Sequence, residues 1–350
     1  MCVALGVQAL LACGVANAQS GVTMYGVADM FVEYGRAGTQ SAPVTMKRVQ
    51  SGAANASRLG LRGTEDLGDG LAAGFVLESG LLLDTGNQAS GSAFWNRQSY
   101  VSLSSSWGAV SAGRQYSPLL VQQDTFDPSF NTTGYGSPYN SGVMRTVSRV
   151  NNSVLYRTPV LGGVTASLMA GLGETAAGGA RAGSTLSGSV KYTGGPVGAG
   201  LAFLQVYKTG ATQEDKSIWN LSGSYKIGQV QLVAAVQGTK NDSQALNTQD
   251  DRSELMMGGT YSFGVSELRA VYGQGKVKGV ADTTARHYSL GYIYNLSKRT
   301  ALYAVAQSVD NPDNLAYRTT GFTFDAIDGG VPAGAGVNAR ALAVGIRHRF

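Results

Sequence analysis

Cysteine is almost missing from this chain. Of 350 residues only Cys2 and Cys13 are cysteines, and both fall in an apolar opening segment, so the polypeptide beyond it has no thiol for a disulfide, a nucleophile or a soft metal site. Histidine is equally scarce. His287 and His348 are the two, neither set among the serines, carboxylates or further histidines that a hydrolase or zinc centre requires. After residue 18 no apolar run approaches the length of a membrane-spanning helix. Charged residues make up 14%, and the net excess of +5 is spread without a basic run or basic helix, so nothing points to nucleic acid. Gly273-Gln274-Gly275-Lys276 and the Gly178-Gly179 stretch lack the full spacing of a phosphate loop and any following helix. No catalytic residue, cofactor or metal site is therefore expected. What remains is unusual in another way. Glycine, at 49 residues against 8 prolines, is about twice its usual share, and with abundant Ser, Thr and Tyr it suits many strands and tight turns.

Residues 1–18 are uncharged and apolar and close with Ala16-Asn17-Ala18 before Gln19-Ser20. This small-x-small ending is that of a secretory signal peptide, although no Lys or Arg precedes the apolar run. Leu11-Ala12-Cys13-Gly14 also resembles a lipoprotein cleavage site, but the Ala16/Ala18 site leads directly into a strand. The expectation is a signal peptide over 1–18 and a single domain over 19–350.

At the other end Leu342, Val344, Ile346, His348 and Phe350 fall on one face, opposite Ala341, Ala343, Gly345, Arg347 and Arg349. A period of two with one greasy and one polar side reads as a strand. The pattern recurs. Trp219, Leu221, Gly223 and Tyr225 share a face, as do Leu255, Met257, Gly259, Tyr261 and Phe263, and Tyr288, Leu290, Tyr292 and Tyr294. Soluble proteins seldom leave such faces uncovered, whereas a transmembrane barrel gives one side to lipid and the other to a wet lumen.

Two kinds of connection alternate between these segments. Seven are short, among them Asp66 to Gly70, Ser106-Trp107-Gly108 and Asn295 to Lys298. Eight are longer and more polar, around 36–55, 84–93, 115–147, 174–184, 208–216, 240–253, 276–284 and 310–338. Fifteen connections predict about sixteen strands with both termini on one side, so first and last strands can pair and leave no edge for lipid to face. Tyr192, Tyr225, Phe263 and Tyr294 end apolar faces just before short turns, the place of an interfacial aromatic girdle. The expected fold is all-β: a closed antiparallel transmembrane β-barrel.

Four stretches carry a resemblance: Val22 to Asp29 (VTMYGVAD), Ser57 to Gly68 (SRLGLRGTEDLG), Gly108 to Pro118 (GAVSAGRQYSP) and the terminal Arg347-His348-Arg349-Phe350. On these the chain resembles the general diffusion porins of Gram-negative outer membranes, especially the β-proteobacterial branch. The resemblance implies a sixteen-stranded homotrimer in the outer membrane, among its lipid and lipopolysaccharide, passing small hydrophilic solutes and ions. It also implies a third long loop folded into the lumen, and a C-terminal assembly signal at Phe350.

The connection Gln115 to Val147 holds that third-loop position, and over thirty residues is long enough to be functional. It carries Asp124 and Asp127. Alternation around Leu59 and Leu61 turns Arg58 and Arg62 inward. On the strand after the loop it turns Arg149 and Arg157 inward, with Val150, Val154 and Tyr156 outward. Arg97 and Arg114 lie on or beside the strands that flank the loop's entry. By resemblance Arg58, Arg97 and Arg149 match the family's wall arginines and Asp127 one loop carboxylate. The second, usually a Glu, is matched by Asn131. Carboxylates facing guanidiniums would set a transverse field across a narrow filter. With the acid side thin and the net charge positive, the expectation is a weakly anion-leaning pore. The alternatives are a substrate-selective channel and a barrel-anchored adhesin or scaffold.

Overall fold

The computed structural model describes residues 21–38, 43–130, 132, 134–175, 179–209, 215–241, 251–313 and 336–350. The expected signal peptide lies outside these residues. Alternating side chains and short glycine-bearing turns produce one strand after another: β1 (Gly21–Gly38), β2 (Pro43–Ser51), β3 (Arg58–Gly68), β4 (Leu71–Leu82), β5 (Asn87–Gln88), β6 (Gln98–Ser105) and β7 (Gly108–Tyr116). After one helix, α1 (Pro118–Phe126), come β8 (Arg149–Arg157), β9 (Val164–Gly171), β10 (Thr185–Gly194), β11 (Val197–Val206) and β12 (Lys216–Ile227). The series ends with β13 (Val230–Asn241), β14 (Arg252–Phe263), β15 (Ser266–Val277), β16 (Ala285–Asn295), β17 (Thr300–Asp310) and β18 (Ala339–Arg349).

Every pairing is antiparallel, and β1 pairs with β18 from Val27↔Arg349 to Ala37↔Ala339, which closes the sheet. Closure satisfies the backbone groups that would otherwise face hydrocarbon. The lower half of β1 pairs with β3 and its upper half with β2. These two therefore share one wall position, β5 is only a two-residue rung on β4, and the wall has sixteen positions. The stretch expected as a long loop over 36–55 is consequently mostly strand. Between β2 and β3 the chain makes a short inward excursion. Asp29 holds that excursion, accepting hydrogen bonds from the Ala53 amide at 3.1 Å and the Asn55 amide at 2.9 Å.

Outward side chains form the apolar band: Leu342, Val344 and Ile346 on β18, and Phe350 just beyond it, are each about half exposed, the position of a lipid-facing residue. Tyr192, Tyr225 and Tyr294 are outward at short-turn ends, and Phe263 stacks on Tyr261 with ring centroids 5.2 Å apart.

The inner wall is not uniformly polar. On β11 and β12 it carries Ala202, Leu204 and Ile218, buried under Leu119 of α1. On β13 to β15, Ala235, Met256 and Val271 lie under Tyr139 and Met144. Phe31, Tyr303 and Val305 pack with Tyr135. The third long connection thus uses the lumen wall as its core. Each fully buried Leu or Phe there contributes about 1.5–3 kcal/mol. Gly275 permits the close approach, because a Cβ there would stand 2.1 Å from the Val143 carbonyl oxygen.

Candidate functional site

Ser117 opens α1 by accepting a hydrogen bond from the Leu120 amide at 3.0 Å, with Pro118 at the first helical turn. This cap turns the chain from β7 into the lumen. Polar side chains then fasten the helix to the far wall. Gln122 donates to Asn220 Oδ1 at 3.1 Å, and Gln123 donates to Gln237 Oε1 at 2.8 Å. Asn220 in turn donates to Gln237 Oε1 at 3.1 Å. Further along the loop the Gly136 carbonyl accepts from Ser289 Oγ at 2.6 Å and lies 3.0 Å from His287 Nε2. Tyr135 donates to Glu33 at 2.7 Å. The loop is anchored along its length to β1, β12, β13, β16 and the excursion after β2, and its remaining side faces β3, β4 and β6 to β8 across open space.

That space is a cleft of about 400 Å³ lined by Asn55, Arg58, Glu78, Arg97, Tyr116 and Asp124 among others. Arg97 is buried, its side chain 4% exposed, and donates through Nε to Glu78 Oε1 at 2.6 Å. Arg58 lies 3.5 Å from the other carboxylate oxygen, to which Tyr25 also donates at 3.1 Å. Tyr116 gathers two guanidiniums: its hydroxyl accepts from Arg97 at 2.5 Å and from Arg149 at 3.1 Å. The Arg149 guanidinium also lies over its ring, 4.7 Å from the centroid. Arg58, Arg97 and Arg149 therefore meet at one place, held by Glu78 and Tyr116.

The other expected residues are distributed around it. Arg157 lines a second cleft of about 150 Å³ with Tyr100 and Gln115, nearer the short-turn end. Arg62 stands over Tyr25, 5.2 Å from the ring centroid. Arg114 turns away to the Asn96 carbonyl at 2.8 Å and to the Asn151 side chain. Asp124 lines the cleft and accepts from the Thr132 amide at 2.9 Å. Asp127 behaves differently. It lies under the loop, 8% exposed, accepting from the Ser129 amide at 2.8 Å and Ser137 Oγ at 2.6 Å. Burial raises its pKa to about 6 despite these hydrogen bonds. Asn131 is outside the described residues. Phe350 closes the wall by pairing with Gly26 in both directions, at 3.0 and 3.1 Å.

Val150 corrects the alternation read from sequence. It is buried with Leu155 and Met169 instead of facing outward. The cause is a register shift between Gly113 and Gln115, with Asn152 opposite at φ 50°, since a bulge resets which side chains face which side. Glu78, Asn55 and Lys191 were not anticipated as lining residues. Glu78 was legible in principle: Ala73, Phe75 and Leu77 mark the outward parity of β4, which makes Glu78 an inward acid. The same argument turns Lys191 inward on β10, where it donates to Thr125 Oγ1 at 3.2 Å. Asn55 has no such signal, because it sits on the excursion. Among the described residues no helix is long and apolar enough to cross a membrane, and the strands do the crossing.

Comparison with known proteins fits this geometry. A family model described as Gram-negative porin matches residues 4–314. Outer membrane porin protein 32 of Delftia acidovorans is 36% identical over 97% of both chains. An outer membrane porin of Bordetella pertussis is 30% identical over 96% of both. Among solved structures, an anion-selective porin from Comamonas acidovorans superposes with a TM-score of 0.79 at 32% identity, covering 95% of this chain and 100% of that one.

Proposed function

The chain belongs to the Gram-negative porin family, and from that premise we propose that the gap between α1 and the arginine wall is a filter leaning toward anions. The protein is an outer-membrane channel for passive diffusion of small hydrophilic solutes and ions. The lean rests on one observation. Arg97 and Arg149 converge on Tyr116 and Arg58 stands beside them at Glu78, while of the nearby carboxylates Glu78 is engaged by Arg58 and Arg97 and Asp127 is turned away under the loop. Asp124 is left as the acid on the helix side. A passing ion therefore meets a net positive wall at close range, within the reach of fixed charge in dilute salt. Arginine keeps this charge at any physiological pH.

Arg157 and Lys191 extend the cationic side toward the short-turn end, and Arg62 and Arg114 belong to the surrounding field and not to the narrow point. The likeness to the anion-selective porin from Comamonas acidovorans supports the same sign here. The same reading takes residues 1–18 as an export signal, 19–350 as the barrel, Phe350 as its assembly signal and the assembly as a homotrimer. Reversal potentials in a planar bilayer under a salt gradient test the charge argument. The expected sign is anionic, and it weakens in Arg58→Ala and Arg149→Ala; cation selectivity in the wild type refutes the filter. Conductance closing in three equal steps supports the trimer, and single-step closure refutes it.

A further inference from the structure

The cleft that holds Arg157 is built differently from the filter. It measures about 150 Å³ and is continuous with the larger space, because Gln98, Tyr116 and Val121 line both. On the wall Ser102 stands opposite Ser111, and Ser111 opposite Leu155. One inward row toward the filter Tyr100 faces Gly113, and one row the other way Ala109 faces Arg157. Small residues therefore make a shallow floor between two larger side chains, Tyr100 and Leu155, and Val121 of α1 lies across from it.

The polar atoms of that floor are engaged with one another. Ser111 Oγ donates to Gln115 Oε1 at 2.6 Å, and Gln115 Nε2 donates to Ser153 Oγ at 3.2 Å. Arg157 is the exception. It is exposed to the lumen, and its side chain makes neither a hydrogen bond nor an ion pair among the described residues. Arg58 and Arg97 have Glu78, and Arg149 has Tyr116. No carboxylate lines the smaller cleft among the described residues, and the next cation, Lys191, is held by Thr125 at 3.2 Å. One guanidinium with all its donors available thus ends a slot walled by Tyr100, Leu155 and Val121.

We propose that this cleft is a binding subsite for single-ring aromatic carboxylates, with the carboxylate on Arg157 and the ring over Ser102 and Ser111 between Tyr100 and Leu155. A hydrated inorganic anion gains from Arg157 but nothing from the apolar walls. A flat ring removes those walls from water and meets an aromatic face. The size agrees, since a cavity of about 150 Å³ holds one benzene. A carboxylate presents two oxygens to the planar fork of a guanidinium. The slot is open to the lumen, so binding is weak enough for the solute to move on, as conduction requires. The subsite rests on the anion-leaning reading of the filter and adds a solute class to it.

Block of chloride current through the refolded protein in a planar bilayer tests it, with benzoate as the probe. Benzoate is expected to halve the wild-type current at a concentration at least tenfold below that of acetate, which lacks the ring, or benzamide, which lacks the charge. Cyclohexanecarboxylate, charged but not flat, should be at least threefold weaker than benzoate. Arg157→Gln removes the charge and Ser102→Leu fills the floor; each should raise the half-blocking concentration of benzoate at least fivefold in a barrel of wild-type heat-modifiable mobility. The wild-type series decides the matter where a variant does not fold. Reversal potentials in the same membranes separate the two claims. Cation selectivity refutes the filter on which the subsite rests, whereas anion selectivity with benzoate no better than acetate refutes the subsite alone. Equal block by benzamide or cyclohexanecarboxylate, or wild-type potency of benzoate in either folded variant, also overturns it.

Discussion

Replacing Glu78 with Gln isolates the charge argument in one atom exchange. The carboxylate binds Arg97 Nε at 2.6 Å, lies 3.5 Å from Arg58 and accepts from Tyr25 at 3.1 Å. The amide has almost the same shape and still offers one oxygen to Arg97, but the negative charge is gone. An ion crossing roughly 7 Å away in a water-like medium feels about 0.6 kcal/mol from one unit charge. A Debye length of about 10 Å in 0.1 M salt halves this to about 0.3 kcal/mol. The term has opposite sign for anions and cations, so their permeability ratio should move about threefold toward anions. In 0.01 M salt the change should grow to about fivefold, and in 1 M salt it should nearly vanish. The substitution also removes the ionic partner of a buried guanidinium, costing about 3–5 kcal/mol. Heat-modifiable electrophoretic mobility must therefore show a folded barrel before currents are read. Reversal potentials at the three salt concentrations supply the assay. A shift toward cations, or no shift at low salt in a folded protein, would sink the idea that Glu78 offsets the arginine wall.

Asp127→Asn gives a contrasting outcome, because that acid is sealed under the loop: selectivity should hardly change. Burial raises Asp127 from 3.8 to about 6, so the neutral form is favoured in the fold, and its stabilisation is complete below pH 3.8 and lost as pH rises through about 6. The wild type should lose about 3 kcal/mol more than Asp127→Asn between pH 3.5 and 7.5, read as the difference in thermal midpoints; parallel pH profiles would contradict this. Asn220→Leu removes one side-chain partner each from Gln122 and Gln237 and should cost about 1–3 kcal/mol at the helix anchor; the readout is open-channel noise, which should rise while mean conductance falls little. Gly113 has φ 137° and its Cβ would stand 2.2 Å from the Ser99 carbonyl oxygen. Gly113→Ala should cost at least about 1–3 kcal/mol and lower the refolded fraction, with normal refolding counting against the bulge as drawn.

The alternating pattern by itself determined the barrel. A period of two repeated in segments of about ten residues has one low-energy solution when both termini fall on the same side, because only closure leaves no unpaired backbone in lipid. It also fixed which face Arg58, Arg62 and Arg157 take, since their parity follows from Leu59, Leu61 and Tyr156 and no bulge intervenes. Parity failed at Val150, where the shift between Gly113 and Gln115 resets the faces without any mark in the apolar pattern. Only the tertiary structure decided that Asp124 lines the passage while Asp127, three residues on, does not. That depends on where α1 lies against β10 to β13, a matter of long-range packing by Leu119, Phe126 and Gln122 against residues far away in the chain. The convergence of Arg97 and Arg149 on Tyr116 is of the same kind. Local sequence fixes which way a side chain points, and three-dimensional closure fixes what it meets.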